Sequence, residues 1–262
     1  MKKIGQVLIY ELEYLLKSRA AWLILLGYTL IAVFISLFDD LRISYFSMIQ
    51  ESSILLLYFV APFPLAAIHI ATLSPLFVGG EDERNNQIPI TCLIGRKGRS
   101  IAKLISAELF SIVMCMMFLL LTLVITTVFG EFDGNAIITS LDGEMLPPPF
   151  WNTWQHFGLA TVSLLSGCMV LTLVILYISS CSKTLLNAIS VTGFLVIFEI
   201  VFSMFSFWDV LKEYNIWVMF KPYYFFGMNT LHFSPLINLV VLLLSFTPII
   251  AFTIIGAVKK GE

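Results

Sequence analysis

The sequence predicts an all-α polytopic membrane protein: six transmembrane helices, an N-terminal cytosolic interfacial helix, and an outer aromatic segment that is interfacial or re-entrant. Three observations carry this. The 262 residues are 59% hydrophobic and 12% charged, with a mean hydropathy of +0.94. Soluble domains run at roughly 45–50% apolar and about 25% charged, so lipid must serve as solvent for much of this chain. The apolar residues fall in long continuous runs without strand-like alternation, which excludes a membrane β-barrel. Lysine and arginine sit almost wholly in alternate connecting segments.

In chain order, residues 1–19 form the interfacial helix. Ile4, Leu8, Leu12 and Leu15 make one helical stripe, with Lys3, Gln6, Glu13 and Lys17 mostly away from it. The segment carries acid and lacks a small-residue cleavage site, so a removable signal peptide is not expected. Residues 20–258 form a single transmembrane domain, and 259–262 a cytosolic tail. About 20 apolar residues cross the hydrocarbon layer, and six runs qualify: 20–38, 53–78, 104–129, 156–180, 185–207 and 235–258. Residues 130–155 hold four carboxylates, a proline triplet and no cation, as an outer loop should. Residues 208–232 are dense in Trp, Tyr and Phe, which favour the headgroup level.

Orientation follows from the cations. Twelve (Lys2, Lys3, Lys17, Arg19, Arg84, Arg96, Lys97, Arg99, Lys103, Lys183, Lys259, Lys260) lie on one side, and three (Arg42, Lys212, Lys221) on the other. Both termini are therefore placed in the cytosol of a multi-pass protein, with a cytosolic loop at 79–103. The net charge of −2 is split between the two faces and forms no basic field, so no nucleic-acid partner is expected. Cys92, Cys115, Cys168 and Cys181 show no metal-ligand spacing and read as small buried hydrophobes.

Ionisable residues inside spans are costly and mark function when they occur. His69 lies in the second span among Pro62, Pro64 and Pro75; Glu108 opens the third near its cytosolic border; Glu199 lies in the fifth. Glu199 is on the order of 21 Å from the start of its span, a depth suited to a translocation or gating role, with His69 a second candidate. No catalytic residue is predicted. Glu81-Asp82-Glu83-Arg84 has the look of the glutamate motif of intramembrane proteases, but His156 and His232 fall on the opposite side of the membrane. The stretch GRKGRS (95–100) lacks phosphate-loop spacing and any strand before it, so nucleotide hydrolysis is not expected of this chain.

The loop at 79–103 has an acidic start after Gly79-Gly80, a short apolar rib and a basic end. Anchoring to anionic lipid, at about 1 kcal/mol per cation, accounts for Arg96, Lys97, Arg99 and Lys103. It does not account for the acidic cluster, which such lipid would repel. The pattern suits docking to a cytosolic partner.

On these features the chain resembles the permease subunits of type-2 ABC transporters. Glu81, Glu83 and Arg84 match that family's acidic loop start. Gly95, Arg96 and Lys103, with Ile101-Ala102 before the lysine, match its end. The interfacial helix, six spans and outer aromatic segment extend the resemblance over nearly the whole length. Asn85-Asn86 stands where the family has Gly-Thr, and Pro89 lies earlier than its usual proline. The resemblance implies a bacterial plasma-membrane subunit paired with a second copy or a paralogue. Each permease rests on a separate ATP-binding cassette subunit that carries ATP and Mg, so this chain itself holds no cofactor. Glu81, Glu83, Arg84, Arg96 and Lys103 are then the ATPase-coupling residues, and the 181–184 link is a smaller second contact. Bulky aliphatics, Met and Phe in the spans suit a hydrophobic or amphipathic cargo, such as an antimicrobial or toxic peptide exported for secretion or immunity. The competing expectation is a non-transporting membrane scaffold or sensor subunit.

Overall fold

The computed structural model describes residues 2–37, 52–78, 91–129, 132–137 and 151–204. The acidic loop start, the outer aromatic segment 208–232, the sixth expected span and the tail lie outside them. Every regular element among the described residues is helical. Three helices there are long and apolar enough to cross a bilayer, at Arg19–Leu37, Ser100–Phe129 and Thr153–Cys181.

Helix α1 (Lys2–Leu16) leads through Lys17 and Ser18 into α2 (Arg19–Leu37). Val7, Glu11 and Leu15 are buried on three successive turns of α1, and its main neighbour is α5 (Thr91–Phe129). The buried stripe is therefore turned by about one residue from the expected one: Leu8 and Leu12 are half-buried, while Ile9, Tyr10 and Tyr14 are exposed. A protein neighbour sets this register. Ser106 Oγ on α5 donates to the Leu8 carbonyl at 3.1 Å. Further along, Tyr28 of α2 hydrogen-bonds Thr122 of α5, and its ring lies 4.4 Å from that of Phe118.

The second apolar run is broken. A single helical turn, α3 (Ser52–Leu55), widens into a π-turn over Leu56–Val60, and α4 (Pro62–Leu73) follows. Pro62 and Pro64 have no N–H to give the carbonyls four residues back, so regular α-bonding cannot run through them. The chain absorbs the mismatch as a wider turn, with Ala61 N–H donating to Leu56 O at 2.8 Å. Within α4 both prolines occupy the first turn, where missing donors cost least. Pro75 follows shortly after its end.

The third run gives one unbroken 39-residue helix, α5, which begins at Thr91, two residues after Pro89, and not near Leu104. Helix α6 (Thr153–Cys181) returns alongside it. Its start is well specified: Asn152 accepts from Gln155 N–H at 3.0 Å, and the Gln155 side chain accepts from Asn152 N–H at 2.9 Å. Backbone bonds from Thr153 and Trp154 to Ala136 and Gly134 close the base of the intervening loop. A Cβ on Gly134 would sit 2.0 Å from the Trp154 indole, so a larger residue there would displace that ring. Helix α7 (Leu185–Met204) packs on α6 and α4.

Small residues Ala160, Ser163, Gly167, Cys168 and Thr172 lie buried along α6. They let the helices approach closely where lipid supplies no hydrophobic drive for association. Leu65 of α4, Phe110 and Phe118 of α5, and Leu164 and Ile175 of α6 are fully buried in one apolar core.

Candidate functional site

Two polar seams join α4, α5 and α6. The first lies mid-helix. His69 on α4 is fully buried. Its Nδ1 is 2.6 Å from Leu65 O, and a carbonyl can only accept, so Nδ1 carries a proton and donates. Nε2 lies 3.0 Å from Ser111 Oγ of α5, and that oxygen is hydrogen-bonded both to Thr172 Oγ1 of α6 at 2.5 Å and to the Ala107 carbonyl of its own helix at 3.1 Å. One histidine and two hydroxyls thus form a continuous hydrogen-bonded chain across three helices. Phe110 packs edge-on against the imidazole at 6.1 Å.

The second seam gathers where α4 ends. The turn at Ser74–Phe77 is gripped from both sides. Lys103 of α5 is only 7% exposed, and its ammonium donates to Leu76 O at 2.7 Å while lying 5.6 Å from the Phe77 ring centre. Ser179 of α6 accepts from Phe77 N–H at 3.1 Å and donates to Ser74 O at 2.7 Å. A helix C-terminus leaves carbonyls without intrahelical donors and carries partial negative charge, so a cation is well placed there. Ser74 Oγ is buried with no hydrogen bond among the described residues. Glu108 lies between the seams along α5, with both carboxyl oxygens enclosed and likewise without a hydrogen bond among those residues.

The expected site residues are dispersed by this geometry. Glu81, Glu83 and Arg84 lie outside the described residues. Arg96 falls on the first turns of α5, a helical setting where a loop was expected. Lys103 is on the same helix but turned inward. His69 belongs to the mid-helix seam. Glu199 is part-buried on α7, one turn beyond Ala188, Thr192 and Val196, which form that helix's buried stripe. In the 181–184 link, Ser182 ends α6 in extended conformation and its N–H still reaches Ile178 O at 3.0 Å. Among the described residues no cluster of His, Cys, Asp and Glu is arranged to hold a metal ion.

Ser111, Thr172 and Ser179 were not anticipated as site residues. The available signal was weak: single hydroxyl residues within apolar runs, which most often bond back to their own helix, as Thr29 does to Leu25 O at 2.9 Å.

No model of a known protein family matches the chain, and neither does any curated protein.

Proposed function

We propose that this protein is the membrane-spanning permease subunit of an ATP-driven type-2 ABC exporter. It has six spans, both termini in the cytosol of a bacterial cell, and a hydrophobic or amphipathic cargo such as an antimicrobial or toxic peptide. A separate ATP-binding subunit docks on the 79–103 segment through Glu81, Glu83, Arg84 and Arg96, and a second permease copy or paralogue completes the pore.

The observation that supports this reading best is the continuity of α5. The basic half of the charged segment is the start of a helix 39 residues long, of which Ser100–Phe129 is long and apolar enough to cross a bilayer; the whole helix is about 58 Å at 1.5 Å per residue. That is nearly twice the roughly 30 Å of a bilayer core. A partner pressing on Arg96 would therefore move α5 directly, with α6 following through the two seams. Sliding of packed helices past one another is one route by which a local push becomes an access change. Of the two intramembrane candidates, His69 has its bonding capacity used within the bundle. Glu199, on the inward stripe of α7, is the residue we assign to gating.

Purification of the tagged chain from its native membrane tests the reading. An ATP-binding subunit should co-purify, and its ATPase rate should respond to cargo. Glu83→Arg and Arg96→Glu should each weaken that association while insertion and pairing persist. Full export and partner retention in both variants would reduce the segment to a lipid anchor. Absence of any ATPase partner would favour a scaffold or sensor subunit.

A further inference from the structure

We infer that Lys103 and Ser179 are positioning residues of the coupling apparatus: they fix where the acidic segment leaves the bundle and do not themselves meet the partner. This rests on the exporter reading above.

A lysine at a membrane border ordinarily snorkels, burying its stem and sending its ammonium to water and headgroups. Lys103 does the opposite. Its ammonium turns to the Leu76 carbonyl and the Phe77 ring, and the side chain is almost wholly enclosed. Enclosing an ammonium is costly unless its donors are used, and an aliphatic residue would fill the same volume without that cost. What the charge adds is a strong, directed bond to the last turn before Gly79. Ser179 grips the same turn from α6 with two bonds, one to a backbone N–H and one to a carbonyl.

The consequence is mechanical. Glu81 lies four residues beyond Phe77, hence within about 14 Å of the junction at full extension. With the turn held, a push on the acidic cluster is delivered to α5 and α6 together. With the turn released, the same push swings residues 74–78 about the end of α4 and is lost. Lys103 and Arg96, seven positions apart on one helix, thus have separate tasks: Arg96 receives the partner and Lys103 secures the turn at Ser74–Phe77.

The test uses the full chain with its co-purified ATPase, in lipid nanodiscs for exchange and in sealed proteoliposomes for transport, as Lys103→Met, Lys103→Arg and Ser179→Ala. Hydrogen exchange at Phe77 reads the junction itself. It should accelerate by about tenfold or more in Lys103→Met, the scale of a lost charge-assisted hydrogen bond, and also in Ser179→Ala, but little in Lys103→Arg. Lys103→Met should keep its ATPase partner yet transport several-fold less of a fluorescently labelled amphipathic peptide per ATP hydrolysed, with Lys103→Arg restoring most of the coupling. If Lys103→Met folds poorly, Ser179→Ala carries the same comparison. Loss of partner binding in Lys103→Met as severe as in Arg96→Glu would make Lys103 a contact residue and overturn the inference. Faster exchange at Phe77 with unchanged coupling would overturn it too, leaving a purely structural fastening. If the unmodified chain brings down no ATPase, the exporter reading fails and the coupling role with it, while the exchange data still report whether the fastening exists.

Discussion

Helix α4 is held to α5 and α6 at two places by different chemistry. Mid-helix, the seam is a chain of hydrogen bonds from an imidazole through two hydroxyls, with no lysine, arginine or carboxylate in it. At the end of α4 the seam is charged, with a lysine ammonium set on a carbonyl. The difference follows from position. An ion deep among apolar helices would lose its hydration with little return. At a helix end the exposed carbonyls and the partial negative charge of the C-terminus supply a partner. Deep polar contacts serve to match helices in register, while the border contact can also carry load.

Changes at each seam sharpen this contrast. The largest stability loss is expected for Lys103→Met, which deletes a charge-assisted bond and strands Leu76 O, at about 2–3 kcal/mol. Thermal unfolding in detergent should show it clearly, with Lys103→Arg nearer the unaltered protein. Ser111→Ala cuts the mid-helix chain at its centre, removing partners from both His69 and Thr172. Interhelical bonds within membranes average about 0.6 kcal/mol and reach about 1.7, so a loss near 1 kcal/mol is expected. A drop as large as that of Lys103→Met would contradict the distinction between the seams. Ser74→Ala should be neutral or slightly stabilising, because it removes a buried hydroxyl that makes no hydrogen bond among the described residues.

The smallest effect concerns α1. Lys17 Nζ lies 2.6 Å from Glu13 Oε1 on the exposed face, and this hydrogen bond and charge hold the Glu13 carboxyl below its ordinary range. A depressed carboxyl stabilises the fold above its unfolded titration range, and that contribution fades as pH falls through the folded value. Stability of the unaltered protein should therefore decline slightly more on acidification than that of Glu13→Gln. Raised salt should erase the difference, as for any exposed pair.

Much of the helical layout was legible in the apolar runs. The run at 20–38 became Arg19–Leu37, and that at 156–180 became Thr153–Cys181, because an uninterrupted apolar stretch in lipid has few alternatives to a helix. Three features were not legible. The charges of Arg96, Lys97, Arg99 and Lys103 interrupt the apolar run, so residues 91–103 read as part of a loop; they form the first turns of α5 instead, although Gly95 and Gly98 each disfavour a helix by about 1 kcal/mol. The π-turn ahead of Pro62 depends on how the chain absorbs two missing donors, which residue type alone does not specify. The register of α1 was displaced by α5, a neighbour remote in sequence.

The site was legible in part. Charge and spacing singled out Lys103, but as an outward group, and nothing local predicts that its ammonium would meet Leu76 O. His69 was visible as a costly residue, yet its partners Ser111 and Thr172 come from two other helices and only the fold brings them together.

The most direct test of the central claim is photo-crosslinking in native membranes, with a photoreactive amino acid substituted for Glu83. The account predicts one dominant adduct, with an ATP-binding subunit, which diminishes when Arg96→Glu is added. Adducts formed only with lipid or with another copy of this chain would contradict it.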